Sequence, residues 1–178
     1  MSKIKTKAAP VKRASKVAAA SPPAPAAEPE RRALSIRTVR RGDLKAVIEL
    51  DALVTGNKKQ SYWNSLYRRH EEALVTGQHF LVATLGTEVI GFVIGEVRDW
   101  EFGSPPCGWI LAIDIRPDAR LLGAATQLLQ VLCQGFKRAK VSKVRTLLAR
   151  ENTLILSFFR SQGMMISPFI PLEMDLAP

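Results

Sequence analysis

The stretch WILAIDIRPDARLLGAA, residues 109–125, decides how this chain is read. Its first seven residues are an apolar run of strand length, and Pro117 ends it. Ala125, Leu128, Leu129, Leu132 and Phe136 then recur at offsets 0, 3, 4, 7 and 11, which makes 123–138 an amphipathic helix. KVRTLLA, 143–149, is the next strand. Residues 109–149 therefore form a β-α-β crossover, with a parallel strand pair and a right-handed connection.

The junction between strand and helix is an anion site by construction. The first amides of a helix have no intrahelical acceptor, and they sit at the positive end of the helix dipole. Gly123, Ala124 and Ala125 keep that first turn bare, so phosphate oxygens can approach the backbone. No Lys-Ser/Thr pair follows, so this is not a nucleotide-hydrolysing P-loop, and the GxGxxG dinucleotide fingerprint is absent. The plain alternative is a tight turn of small residues.

Outward from this unit, the other elements follow in order. Residues 35–40, SIRTVR, read as an edge or half-buried strand. Asp43 is placed as N-cap of a helix carrying Leu44, Val47 and Ile48, broken at Thr55-Gly56-Asn57. A second helix covers 59–75, with Tyr62, Leu66, Leu74 and their neighbours Trp63, Tyr67 and His70 at helical spacing, closed by Gly77. HFLVATL, 79–85, and EVIGFVIGEV, 88–97, are strands joined at Gly86-Thr87, and 99–106 is a loop. After 143–149, Asn152 caps a short helix carrying Leu154, Phe158 and Phe159, ended by Gly163. The apolar, proline-punctuated segment 166–176 is expected to be one more strand. The expected order is β-α-α-β-β-β-α-β-α-β.

Of 178 residues, 47% are hydrophobic and 24% charged, enough for a core without disulfide staples. Cys107 and Cys133 are too few for a disulfide framework or a zinc-ligand set, so no metal is expected and a reducing cytoplasm is the simpler location. No run approaches ~20 apolar residues, so no membrane-spanning helix is expected. The formal net charge of +10 is unevenly placed. Residues 1–32 hold eight basic and two acidic residues, so +6 belongs to a segment of Ala, Pro, Ser, Lys and Arg without an aromatic residue. That composition reads as a disordered basic arm and Pro/Ala linker, 1–32, before a domain over 33–178. A solubilising tail, a nonspecific polyanion contact and an organelle transit peptide all stay open for the arm. Nucleic acid enters only through it, because no sequence-reading module is present.

Arg120-Leu121-Leu122-Gly123-Ala124-Ala125 resembles the Q/R-x-x-G-x-G/A motif of the GCN5-related N-acetyltransferase (GNAT) superfamily. The segment from Asn152 through Gly163-Met164 resembles that family's Asn-…-Phe/Tyr-…-Gly-Phe segment, and the element order over about 35–178 matches. The resemblance implies an α/β fold with a mixed sheet splayed between strands 109–115 and 143–149. Acetyl-CoA, as co-substrate, would lie in that V. Backbone groups of Ile113, Asp114 and Ile115 would hold the pantetheine arm. Arg120, Leu121 and the amides of Leu122, Gly123, Ala124 and Ala125 would surround the pyrophosphate, and Asn152 and Phe159 would lie along the other side. The implied reaction is direct transfer of the acetyl group to an amine.

Two positions depart from the family pattern. Phe159 stands where many members place a tyrosine acid, and a phenyl ring donates no proton. Gly108-Trp109 stands where many histone-type members place a glutamate base. Asp114, in an apolar strand beside the implied thioester, is a substitute base whose pKa burial would raise. Its alternative is a carboxylate bonded to backbone or to an Arg. Glu96 and Glu101 are further candidates for base or acceptor binding. Tyr62 and Tyr67 would reach the acceptor side, and Trp63, Trp100 and Phe102 would form a partly apolar rim. Cys107, read as a loop residue, has no base partner, and His70 and His79 read as surface or strand-end residues. A non-catalytic acyl-CoA-binding regulatory module is the competing function. The C-terminal segment would complete this chain's own sheet or that of a second copy, so a homodimer is possible.

Overall fold

The computed structural model describes residues 33–72 and 77–176. The arm read over 1–32, and Leu74 with the end of the second helix, lie outside the described residues. The elements are β1 (Leu34–Thr38), α1 (Leu44–Thr55), α2 (Gln60–Glu72), β2 (His79–Leu85), β3 (Glu88–Arg98), β4 (Cys107–Ile115), α3 (Ala124–Arg138), β5 (Val144–Thr146) and α4 (Thr153–Ser161). Each meets its sequence signal within a few residues, but β5 is much shorter than the 143–149 expected.

The sheet order is β1-β2-β3-β4-β5, antiparallel throughout except for the parallel β4–β5 pair. Helices cover both faces, and two cores result. Leu81, Val93, Ile110 and Ile113 pack with Leu128, Leu132 and Phe136 of α3 and Phe159 of α4. Phe80, Val82, Phe92 and Ile94 pack with Val47 and Ile48 of α1 and Trp63 and Leu66 of α2. Close approach of α3 to the sheet needs glycine. A Cβ on Gly108 would stand 2.5 Å from the Phe136 ring, and one on Gly95 would stand 2.9 Å from the same ring.

Four expectations are corrected. Asp43 does not cap α1 with its side chain. It closes a 3-10 turn at 41–43 instead, where its carboxylate accepts from the Arg40 amide at 2.7 Å and holds Arg37 in a bidentate pair at 2.6 and 2.8 Å. Cys107 is not in a loop: it begins β4 and is buried. Segment 166–176 forms no strand. Pro168 and Pro171 have no N–H to give a ladder, which removes two donors just where pairing would start. His70 is likewise buried rather than at the surface, edge-on to Phe80 at 6.1 Å between centroids.

Candidate functional site

Two irregularities in β4 build the site. The first is a register shift against β3: Ile94 pairs with Ala112 but Gly95 pairs with Ile110, leaving Leu111 unopposed. A bulge of this kind reverses which face the following side chains take. Ile110 accordingly packs with α3, while Leu111 and Ala112 pack on the α1–α2 core and Ile113 returns to the α3 side. Asp114 follows the parity of Ala112, towards α1 and α2.

The second irregularity is the early end of β5. It pairs with Gly108, Trp109 and Ile110 only, and the Thr146 hydroxyl donates to the Ile110 carbonyl at 3.1 Å at the last shared position. From Leu111 to Ile115, β4 continues without a partner on that side among the described residues. The strands part there, as the V expected between 109–115 and 143–149 requires.

A cleft of about 910 Å³ fills the opening. Ile113, Asp114 and Ile115 line it from β4; Arg120, Leu121, Gly123, Ala124 and Ala125 from the loop and the start of α3; and Asn152 and Phe159 from the α4 side. Of the residues expected along a cofactor, Leu122 alone does not line it. Thr146, Leu147, Leu148 and Ala149 make the opposite wall, and Val54 and Thr55 at the end of α1 close one end.

The loop before α3 fits a pyrophosphate. Gly123 takes φ +76° as the residue preceding the helix, and a Cβ there would meet nothing within 4 Å. The backbone is left open to an incoming group. Leu121 also takes a left-handed φ of +71°, although it is a bulky residue with its whole side chain in solvent. Strain without a packing return is characteristic of loops shaped for a ligand. Arg116, at the loop's start, is anchored by Glu88 and Asp118. On α4, the Asn152 side chain accepts from the Ile155 amide at 3.2 Å, so it works as the helix cap while lining the cleft.

Asp114 is the carboxylate in the cleft. Burial, reinforced by the negative charge of Asp51, pushes its pKa up to about 6, against the pull of Lys59 and Arg120. It has no hydrogen-bond or ion-pair partner among the described residues, so the alternative of a carboxylate tied to backbone or Arg is not what the structure contains. Glu96 and Glu101 are not brought to the cleft. Glu96 binds Arg98 at 2.7 Å, Glu101 lies 3.7 Å from the same guanidinium, and Arg98 stacks over Trp109 at 5.1 Å. Trp63 is no rim residue either: it is fully buried against Phe80 and Phe92. Tyr62 is half exposed, and neither tyrosine of α2 lines the cleft.

The sequence reading missed Asp51. It is 3% exposed, one turn before Thr55 on α1. Its carboxylate accepts from Trp63 Nε1 at 2.8 Å and from Lys59 Nζ at 3.0 Å. The signal was present: in VIELDALVT an acid falls four residues after Val47, on the buried face of the helix. A buried acid demands a donor, and Trp63 is the buried donor of the next helix.

A family model described as the acetyltransferase (GNAT) family matches residues 44–164, which contain the whole cleft. This chain belongs to the GNAT acetyltransferase family. Solved structures share the fold at low identity. A transcriptional regulator from Bacillus halodurans C-125 superposes with a TM-score of 0.69 at 16% identity, over 81% of this chain and 100% of that one. The aminoglycoside N-acetyltransferase AAC(6')-Iy in complex with CoA gives 0.69 at 18% identity, over 82% and 96%. The aminoglycoside 6'-N-acetyltransferase AAC(6')-IG from Acinetobacter haemolyticus gives 0.65 at 18%, over 81% and 99%. No curated protein matches the sequence. Among the described residues no group of acidic, His and Cys side chains has the arrangement of a metal site.

Proposed function

We propose that this GNAT protein is an N-acetyltransferase that moves the acetyl group of acetyl-CoA directly to an amine, with Asp114 as the base. One observation carries the reading: an unpartnered carboxylate with a pKa of about 6 lines the cleft between the splayed strands. A base near the operating pH is ionised in most molecules and still holds a proton well enough to remove one from an ammonium.

Acetyl-CoA supplies the activated thioester. The chain's own part is binding, aim and proton traffic. The bare first turn of α3, with Arg120 nearby, holds the diphosphate. The edge of Leu111–Ile115 that faces away from β3 offers hydrogen bonds along the cleft and a donor for the carbonyl oxygen. Asp114 takes the proton of the incoming amine, whose nitrogen bonds to the acetyl carbon as the C–S bond breaks. Phe159 gives no proton, so the leaving sulfur departs as thiolate or is protonated by water.

A second reading has a specific observation behind it. Phe159 lines the cleft with 3% of its surface exposed and puts a ring where many family members place an acid. A module that binds acyl-CoA without turning it over would tolerate that. Calorimetric titration with acetyl-CoA, followed by CoA release from a panel of amines and peptides, tests both readings. Absence of binding sinks both, and binding without turnover across the panel replaces the first with the second.

A further inference from the structure

The positive charge of the folded domain is concentrated in one stretch. Residues 33–178 carry 18 basic and 14 acidic residues. The stretch 119–150 holds seven of the basic ones and none of the acidic, so the rest of the domain is net acidic. Five of the seven, Lys137, Arg138, Lys140, Lys143 and Arg145, fall between the last turn of α3 and β5. The first four are exposed, and none of the five has an ion-pair partner among the described residues. A basic last turn suits the negative end of a helix, which accounts for Lys137 and Arg138 and for nothing beyond them. Lys140 takes φ +60°, a left-handed turn position after a helix where glycine costs least. The turn keeps a charged, exposed side chain there instead.

Aromatic rings continue this basic stripe. Arg145 donates to the Ser104 hydroxyl at 2.9 Å and lies over the Phe169 ring at 4.3 Å, and Phe169 is 6.0 Å from the Phe102 ring. Trp100 and Phe102 are both largely exposed, and both sit at φ +53°. Their loop carries backbone strain at two bulky residues while the rings stay in solvent. Glu101 in the same loop faces Arg98 at 3.7 Å, which leaves Asp99 as the one exposed acid of the loop. The stripe is no part of the diphosphate site. That site lies at the start of α3, and a helix of 15 residues puts about 22 Å between its two ends.

We propose that this face of the folded domain, from Lys137 through Arg145 to the rings of Trp100, Phe102 and Phe169, binds single-stranded nucleic acid without reading its sequence. The cations meet phosphates, and the rings give π-faces on which unpaired bases stack. A guanidinium stacked on a ring, as Arg145 is on Phe169, serves both purposes. No sequence-reading module is needed for such contact, and the chain has none. A duplex keeps its base faces hidden and would use the cations alone. An acidic peptide would likewise leave the rings without a role. The face uses neither Asp114 nor the acetyl-CoA cleft, so it stands apart from the catalytic reading. Its charge is also separate from the +6 of residues 1–32.

Fluorescence anisotropy of the full chain tests the face, at two salt concentrations. The probes are labelled oligouridylate and oligothymidylate of about 15 nucleotides and a duplex of the same length. Residues 1–32 are the same in every variant, so differences between variants belong to the domain. Lys137→Glu, Lys140→Glu and Lys143→Glu together should weaken single-strand binding about tenfold or more and lower the slope of log K against log salt by about 2. The same three lysines changed to Ala should act in the same direction, without a reversed charge at the end of α3. Trp100→Ala with Phe102→Ala should weaken binding about fivefold or more and leave the slope unchanged. Lys45→Glu, Arg68→Glu and Arg69→Glu make the same change of charge on the exposed surfaces of α1 and α2, and should cost less than about threefold. Circular dichroism melts confirm that the variants are folded. Binding of either single strand with these losses supports the proposal. It is overturned if the wild type binds no single strand, if the lysine variants bind like wild type, or if the α1–α2 variant loses as much as they do. A duplex bound as tightly as the single strands, an aromatic variant that loses nothing, or binding to phosphatidylserine vesicles in place of the oligonucleotides would overturn it as well.

Discussion

At the end of α1, Asp51 is almost wholly buried and fully partnered, by the Trp63 indole and the Lys59 ammonium. Near the end of β4, Asp114 is less buried and has no partner among the described residues, and its pKa is pushed up to about 6. Depth alone does not decide what a carboxylate does. A buried acid given a donor for each oxygen is a structural joint, here fastening α2 to α1. A shallower one facing a cleft without donors keeps its lone pairs for something else. The two positions are coupled, because the charge on Asp51 is the second cause of the upward shift at Asp114.

The largest expected effect separates the roles outright. Asp114→Asn is close in shape but cannot take a proton at neutral pH. It should lower kcat by about 10²- to 10⁴-fold while leaving acetyl-CoA affinity near wild type, read by CoA release and calorimetry. Equal turnover in the variant would end the assignment of Asp114 as base. At Asp51 the expected loss is in stability. Asp51→Ala strands the Trp63 N–H inside the α1–α2 core, a loss of about 1–3 kcal/mol measured by denaturant unfolding. If unfolding is unchanged, the joint is not structural and the contrast fails.

The coupling is sharpened by Asp51→Asn, which can still accept from Trp63 but carries no charge. Removing that charge removes a raising influence, so the pKa of Asp114 should fall. The acidic limb of kcat/KM, expected near pH 6 in the wild type, should move to lower pH. A limb that stays in place, or moves up, would show that the two carboxylates do not sense each other.

The sequence carried the frame of this site better than its chemistry. The strand 109–115, the loop and the helix 123–138 announce themselves, because apolar periodicity, Pro117 and a run of small residues are local signals. The element order then placed the cleft between β4 and β5. Two features stayed invisible. The bulge at Leu111, which turns Asp114 towards α1, depends on pairing with β3 and leaves no mark in the apolar run WILAIDI. The early end of β5 is equally non-local: TLLA reads as strand, but these residues leave β4 to make the cleft wall. Glu96 and Glu101 illustrate the converse. Their positions in the chain allowed a catalytic role, and Arg98 absorbs both. Asp51 needed only the question of what an acid does on the buried face of a helix.

The smallest expected effect concerns how stability changes with pH, and its sign differs between two acids. Asp43 is held below its ordinary pKa by the Arg37 hydrogen bonds, so its contribution is present above about pH 4 and is lost as pH falls. Asp114 is held above its ordinary value. Its contribution is full below the unfolded value, about 3.9, and is lost as pH rises through about 6. At neutral pH the protein therefore keeps an ionised Asp114 at the expense of stability. Asp114→Asn should remove that loss, giving a Tm at pH 7 equal to or above wild type and a flatter slope between pH 4 and 7. Arg37→Ala should instead remove the Asp43 contribution, lowering Tm at neutral pH and flattening the fall in stability below about pH 4. A Tm for Asp114→Asn well below wild type at pH 7 would mean that Asp114 is a structural joint like Asp51, and the contrast between the two regions would collapse.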